Sequence, residues 1–398
     1  MTSQDQSVQV ADRRELQSST ESARDDVLMG TALRLGLTAA LVVLAERLCH
    51  LGAVLWWLRR IGAPVSTVYD RNDGTSYLRI AESGYAPPPP LTADGVYSQT
   101  TDLAFFPGYS LLVRAVDVVL PGGVFAAAEV VTLIAAGVAA AGIAIFIGRR
   151  LGFRCGVVGG ALWGLLPSAA ALSIPRSEAL FVACCVWSLL QLDRGRLVSA
   201  ALLCAGAGIV RPAGAAVLLA VWLAVYRDKT AATRTRLVAV AIAPLGLVVA
   251  LGHVWRATGR IDGWLWLQRT VWNSGFDFGR SAAKATRDTW LTTTPVLPYI
   301  VAALTVLVFA VLLLAFDWSR PRWHVAVYVL VIVGLAFGGR NYLESKPRFL
   351  LPAFPLLEAP ARAIAGWRLR TLVGALLAML LMSSVWNAWL LVAWPFAF

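Results

Sequence analysis

Long apolar segments alternate with short polar segments along the whole chain. Many of the apolar segments approach the roughly 20 residues that a helix needs to cross a bilayer. This pattern predicts an all-α polytopic integral membrane protein with roughly 10–11 transmembrane helices. The predicted spans are 27–57, 124–148, 155–174, 178–192, a broken pair 197–210 and 213–226, 236–255, 296–316, 323–339, 349–365 and 371–394.

The polar segments divide the chain further. Residues 1–26 are polar and charged and contain no apolar run, which predicts a disordered tail ahead of one transmembrane domain, 27–398. Residues 58–102 and 256–294 are predicted to form two long outer loops. Residues 103–120 are only moderately apolar and predict an interfacial or re-entrant helix.

Composition and charge agree with a membrane protein and exclude several other classes. Apolar residues make up 58% of the chain and charged residues 15%. The net charge of +12 does not indicate nucleic-acid binding, because the basic residues lie in short clusters between apolar segments. The five cysteines lie in or beside apolar segments, and the three histidines are scattered, so neither disulfides nor a zinc site is predicted.

The basic clusters predict the topology. With 103–120 counted as interfacial, most of them fall on one side, which the positive-inside rule makes cytoplasmic together with the tail. A crossing at 103–120 would break this agreement. The opposite side then collects both long loops and several isolated charges. The cytoplasmic clusters are Arg149, Arg150 and Arg154; Arg194 and Arg196; Arg227, Lys229, Arg234 and Arg236; Arg320 and Arg322; and Arg368 and Arg370.

Two carboxylates in the first outer loop, Asp70 and Asp73, are the first candidates for chemistry. Burial of a carboxylate is costly, so acids placed just after the first span indicate a function. The alternative is a solvated loop, since Asp-Gly is a common turn pair. Glu178 could likewise be a helix-start carboxylate that complements the helix dipole. Arg211 is harder to explain in this way, because arginine in a membrane segment usually meets an anion or a wet cavity.

Further polar residues follow on the same side. Gln268 and Trp272 lie in the aromatic second loop, which could also be a simple membrane-interface belt. Arg348 lies in a third basic group with Arg340 and Lys346. A carboxylate that faces several arginines at a membrane edge suggests chemistry on a lipid-linked phosphate, with a base for the attacking hydroxyl and positive charge for the departing phosphate. The chain contains neither GxGxxG nor a P-loop.

At this point the sequence resembles the multi-spanning GT-C glycosyltransferases, and within them the family of the second mannosyltransferase of GPI-anchor synthesis with its bacterial relatives. The resemblance covers roughly residues 35–360 and rests on the order and spacing of several weak motifs. Asn72 and Arg176 depart from the pattern, which has Trp and an aromatic residue there. The matching segments are Asp73-Gly74-Thr75-Ser76-Tyr77-Leu78-Arg79-Ile80-Ala81-Glu82-Ser83-Gly84-Tyr85, 105–114, Pro167-Ser168 with 176–181, 211–214, 268–277 and 348–355.

The resemblance implies a reaction and roles. It implies inverting transfer from a polyprenyl-phosphate-mannose donor, with Asp73 as general base and Asp70 as a second acid or orienting partner. Arg211 and Arg348 would hold the donor phosphate. No metal is required, although two loop aspartates could recruit Mg²⁺ or Mn²⁺. The residues that would shape the sugar or acceptor site are Tyr77, Glu178, Gln268 and Trp272.

Arginine outnumbers lysine, and both alanine and glycine are abundant, as in proteins from GC-rich bacterial genomes. The expected location is therefore a bacterial plasma membrane, and the positive-inside rule places the site outside the cytoplasm. The expected partners are a polyprenyl-phosphate sugar, membrane lipids and a glycan, lipid or protein acceptor, with no nucleic acid. Two alternatives stay open. One is a transporter or lipid-handling protein, although transporters usually bind near the midplane. The other is an inactive glycosyltransferase-like assembly partner.

Overall fold

The computed structural model describes residues 3–70, 73–98, 101–294, 296–318, 322–340 and 342–394, with side chains from residue 30 onward except those of 69 and 70. The first half contains α1 (Ser3–Ile61), α2 (Ser66–Asp70), α3 (Gly74–Ser83), α4 (Pro107–Asp117), α5 (Gly123–Leu151), α6 (Phe153–Gly164), α7 (Glu178–Leu192), α8 (Leu197–Val210) and α9 (Ala215–Arg227). The second half contains α10 (Thr233–Ile242), α11 (Leu245–Thr258), α12 (Gly263–Thr270), α13 (Arg280–Leu291), α14 (Leu297–Leu314), α15 (Trp323–Gly338), α16 (Lys346–Phe349), α17 (Glu358–Ala365) and α18 (Leu369–Val392), with strands β1 (Gly275–Phe276) and β2 (Gly339–Arg340).

The helices confirm the predicted all-α polytopic architecture. Five described segments are long and apolar enough to cross a membrane: Gly30–Ile61 of α1, α5, Thr233–Thr258 of α10 and α11, α14 and α18. Four shorter apolar helices, α7, α8, α9 and α15, pack among them and are largely buried. Residues 3–26, predicted as a disordered tail, form the first part of α1 in the structure, and the cytoplasmic location of this segment stays a prediction.

Two predicted spans are interrupted in the structure, which corrects their assignment as continuous crossings. In 155–174, α6 ends at Gly164, and a 3-10 turn follows Pro167. In 349–365, a 3-10 turn over Leu351–Leu357 separates α16 from α17. Proline causes the second break, since the turn includes Pro352 and Pro355, which donate no backbone hydrogen bond.

The first outer loop folds back onto one end of the helical bundle. The helix that follows this loop, α4, lies within the predicted interfacial segment 103–120. It has 11 residues, about 16 Å at 1.5 Å per residue, which is too short to cross a bilayer. The Tyr109 hydroxyl of α4 donates to the Ala128 carbonyl at 3.0 Å and lies 2.7 Å from the Thr132 hydroxyl, both in α5. These bonds fix α4, and α3 beside it, against the start of α5.

Charged groups gather at the two opposite ends of α7, α9 and α15. At one end, Arg322 pairs with Asp193 at 2.5 Å and with Glu358 at 3.2 Å, and Arg150 pairs with Glu358 at 2.9 Å. The other end of α7 begins with Glu178, beside the first outer loop. The separation of the two polar sets agrees with the sequence interpretation. Which end faces the cytoplasm stays a prediction.

Gly108 lets α4 approach the end of α8 closely. A Cβ atom at this position would lie 2.8 Å from both the Ile209 carbonyl oxygen and a Val210 methyl group. We therefore expect Gly108→Ala to destabilise the protein by about 1–3 kcal/mol, the usual cost of overpacking. Thermal unfolding in detergent, followed by tryptophan fluorescence, would show a lower midpoint. The matched control is Gly374→Ala, where a Cβ meets nothing within 4 Å, and equal midpoints for both variants would contradict this packing.

Candidate active site

Five charged side chains from distant parts of the chain meet where the first outer loop covers the bundle. Two are carboxylates and three are guanidiniums, and we call this group the charged cluster. Its members are joined by ion pairs of 2.7 to 3.6 Å. The charged cluster consists of Asp73, Arg176, Glu178, Arg211 and Arg348.

Asp73 stands immediately before α3, and its side chain forms no helix-capping hydrogen bond. Instead its carboxylate accepts a hydrogen bond from Arg348 Nη1 at 2.9 Å and lies 3.6 Å from Arg176 Nη2. The next residue, Gly74, packs so closely on Pro175 that a Cβ would lie 3.1 Å from its carbonyl oxygen. The Asp73 side chain is 30% exposed, whereas Arg176 is fully buried beneath it. A ligand can therefore reach the carboxylate.

Glu178 and Arg211 form the second half of the charged cluster. Arg211 Nη1 lies 2.7 Å from Glu178 Oε1 and also donates to the Ser177 hydroxyl at 3.2 Å. Arg211 has an extended backbone between the end of α8 and a 3-10 turn that starts at Pro212. The predicted break at Arg211-Pro212 is thus confirmed. Glu178 is the first residue of α7, so it also sits where the helix dipole favours an anion.

Arg348 links the two halves. Besides its bond to Asp73, its Nε lies 3.5 Å from Glu178 Oε1. The segment that carries it is held by the antiparallel pairing of β1 with β2, in which Gly275 faces Arg340. Lys346 Nζ donates to the Gly339 carbonyl, which fastens α16 to the same strand. The second outer loop therefore positions Arg348.

Aromatic rings form one wall beside the charged cluster. The Tyr77 hydroxyl lies 2.8 Å from the Ser177 hydroxyl, and its ring packs edge-on against Phe105, with centroids 5.2 Å apart. Trp272 also packs edge-on against Phe105, with ring centroids 6.2 Å apart. The structure thus brings Tyr77 to the charged cluster and places Trp272 one ring away.

Two predicted site residues are not brought to the charged cluster by any described contact. Gln268 lies half-buried in α12, and its backbone carbonyl accepts a hydrogen bond from the Ser274 amide at 2.7 Å, but no contact of its side chain is described. Asp70 ends α2, and its side chain lies outside the described residues. Their predicted roles stay predictions.

Comparisons with known proteins add little. No family model matches the chain, and no curated protein matches it. It is similar to crystal structures of the Archaeoglobus fulgidus oligosaccharyltransferase. The apo form is 14% identical with a TM-score of 0.47, covering 91% of this chain and 55% of that one. The form tethered to an acceptor peptide with an NVT sequon is 13% identical with a TM-score of 0.44, covering 91% and 54%. The chain spans about half the length of these structures, and at such scores the likeness carries no argument about activity.

The electrostatics of the charged cluster favour an anionic Asp73. Burial raises the pKa of this carboxyl, but the guanidiniums of Arg176, Arg348 and Arg211 outweigh burial and hold the pKa below its ordinary value. Three positive and two negative charges leave the cluster with one positive charge. Guanidiniums this close also repel a divalent cation at Asp73, so this carboxylate does not fit a metal site. Metal dependence stays a prediction.

Sequence reasoning gave no role in the site to two of its members, Arg176 and Ser177. Arg176 was noticed only as a departure from the family motif, and it proves to be fully buried beside Asp73. Ser177 shares its hydroxyl between Tyr77 and Arg211. The signal that could have found both is their position directly before Glu178, at the start of an apolar helix, since a charged residue there needs a partner.

Proposed function

We propose that this protein is a membrane glycosyltransferase of the GT-C type. It transfers a sugar, mannose by the motif resemblance, from a polyprenyl phosphate to an acceptor hydroxyl on the extracytoplasmic face. The anomeric configuration inverts. The acceptor is a glycan, lipid or protein, and the plasma membrane is the proposed location. The observation that supports this proposal best is the charged cluster, in which a partly exposed aspartate lies among three arginines at one end of an apolar helical body.

The proposed reaction is one displacement at the anomeric carbon. The acceptor oxygen forms a bond to this carbon while the bond from the carbon to the phosphate oxygen breaks. Asp73 takes the proton of the acceptor hydroxyl, and the electron pair leaves with the polyprenyl phosphate. Attack from the face opposite to the phosphate inverts the anomeric centre.

Fixed positive charge stabilises the departing phosphate. Arg348 and Arg211 each present a planar guanidinium, which suits two parallel hydrogen bonds to phosphate oxygens. Because these groups are already ordered before the donor arrives, little reorganisation is needed during the reaction. The partly exposed Trp272 offers a ring surface against which a sugar can pack, and the buried Tyr77 supports this wall through Phe105. The membrane helices hold the polyprenyl tail.

We expect Arg211→Ala to impair use of the lipid-linked donor by about 10²–10³-fold, the usual loss when one electrostatic donor is removed from an active site. Arg211→Lys keeps the charge but not the planar fork, so it should retain more activity than Arg211→Ala. The measurement is transfer of radiolabelled mannose from polyprenyl-phosphate-mannose by purified protein in nanodiscs, with folding checked by size-exclusion chromatography.

The matched control for this prediction is Arg260→Ala, which removes an arginine that is 49% exposed in the second outer loop. This variant should transfer mannose at the wild-type rate. Wild-type transfer by a folded Arg211→Ala variant would remove the proposed phosphate role. A wild-type protein that accepts only a nucleotide sugar would contradict the proposed function itself.

A further inference from the structure

We infer that Asp73 and Glu178 pair with the same guanidiniums that later bind the donor phosphate. Binding of the donor then displaces Asp73 from the arginines and frees it to act as the base. This inference rests on the proposed function and adds an order of events to it. Without donor, the carboxylates pair with the arginines and Asp73 holds no acceptor proton. With donor, the phosphate replaces them and Asp73 turns to the acceptor.

The contacts of Arg348 are those of a guanidinium that is only partly satisfied. Its Nη1 donates to Asp73 at 2.9 Å. Its buried Nε lies 3.5 Å from Glu178 Oε1 but donates no hydrogen bond to any described group. The second oxygen of Glu178 is also buried and has no described hydrogen-bond partner. A phosphate with two oxygens in the guanidinium plane would satisfy both sides of the Arg348 fork, which the separate carboxylates do not.

The charge of the cluster matches one class of donor. The cluster carries one positive charge in excess, and a phosphodiester carries one negative charge at neutral pH. A sugar linked through a single phosphate therefore neutralises the cluster. A diphosphate-linked sugar brings two negative charges, so the cluster together with the donor would carry one excess negative charge. The charge balance therefore agrees with the single-phosphate donor of the proposed function.

Displacement also changes the basicity of Asp73. The charged and titratable side chains that face it are Arg176, Arg348, Arg211, Glu178 and Tyr77. When a phosphate holds the arginines, their positive charges are compensated and a new anion lies nearby. Both changes favour a protonated Asp73, so its pKa rises. A carboxylate with a higher pKa accepts a proton from the acceptor more readily.

A binding measurement tests this exchange. The probes are a short-chain polyprenyl methyl phosphodiester and the matching diphosphate, titrated into protein in nanodiscs. We expect Asp73→Asn to bind the phosphodiester about tenfold more tightly than wild type does, because an amide competes less well than a carboxylate for the guanidiniums. The control Asp288→Asn makes the same change at a carboxylate that is 49% exposed and, among the residues the structure describes, pairs only with its neighbour Arg287. Its affinity should equal that of wild type.

The outcomes separate this inference from the proposed function. Tighter binding by Asp73→Asn, with wild type preferring the phosphodiester to the diphosphate, supports the exchange. Phosphodiester binding that is unchanged or weaker in Asp73→Asn overturns the exchange and leaves glycosyl transfer standing. A preference for the diphosphate contradicts the single-phosphate donor of the proposed function. Failure of wild type to bind either probe would overturn both.

A second measurement uses wild type alone, in case Asp73→Asn does not fold. The pH dependence of kcat/KM reports the free enzyme, whereas that of kcat reports the donor complex. Activity is lost on acidification when Asp73 becomes protonated. Since its pKa is depressed only while the arginines hold it, the acid limb of kcat should lie at higher pH than the acid limb of kcat/KM. Coincident limbs would show that the donor leaves the carboxylate unchanged and would overturn the exchange.

Discussion

Asp73→Asn is expected to reduce sugar transfer by about 10²–10⁴-fold, the range in which a general base contributes. The amide has the size of the carboxylate and can still accept the hydrogen bond from Arg348, so the protein should fold. It cannot accept the acceptor proton. The loss should appear in kcat, since the donor still binds.

The assay compares radiolabelled transfer by wild type and Asp73→Asn at equal amounts of folded protein, with Asp288→Asn as the control of unchanged activity. Equal transfer by wild type and Asp73→Asn would mean that the base lies elsewhere. Asp70 would then be the candidate, because it precedes Asp73 by three residues in the same loop.

Arg348→Ala should cause the second large loss, about 10²–10³-fold in transfer. Arg348 touches both carboxylates of the charged cluster, and its removal takes away both a phosphate contact and the link between them. The remaining cluster has two guanidiniums and two carboxylates and no excess positive charge. Donor affinity should therefore fall together with the rate of transfer.

Arg348→Lys separates charge from geometry. It restores the positive charge but not the two-pronged contact, so its activity should lie between those of Arg348→Ala and wild type. The matched control is Arg287→Ala on α13, whose side chain is 64% exposed and outside the cluster. Donor affinity and transfer at wild-type levels in Arg348→Ala would contradict the role given to this arginine.

The sequence predicted those features that depend on local chemistry. Proline lacks a backbone donor, and arginine is costly in a membrane, so Arg211-Pro212 had to interrupt a helix. The structure places the break there, between Val210 and Pro212. Hydropathy likewise predicted α5, α14 and α18 closely, because each is a long continuous apolar segment.

The predicted spans were wrong where the hydropathy averaged over many residues hides a local break in the helix. The apolar content of 349–365 is high enough for a span, yet Pro352 and Pro355 divide it. That break matters for function, since α16 just before it carries Arg348 to Asp73 across a separation of 275 residues. Hydropathy carries no information about such a pairing.

Arg176 illustrates the other limit. In sequence it is one arginine in front of an apolar helix, a position that calls for a partner but does not say which residue provides it. Its position beside Asp73 depends on how closely Gly74 packs on Pro175, a tertiary contact. The motif resemblance predicted four members of the cluster by their order along the chain: Asp73, Glu178, Arg211 and Arg348. The fifth, Arg176, gives the cluster its net positive charge, and its place beside Asp73 is seen only in the structure.

The central claim is that the charged cluster binds the phosphate of a lipid-linked sugar. Its most direct test is a cryo-electron microscopy structure of the protein in nanodiscs with a non-transferable phosphonate analogue of polyprenyl-phosphate-mannose. We predict density for the phosphonate group between Arg348 and Arg211, with the Asp73 carboxylate turned away from Arg348. Phosphonate density at another place, with the Asp73–Arg348 pair unchanged, would contradict the claim.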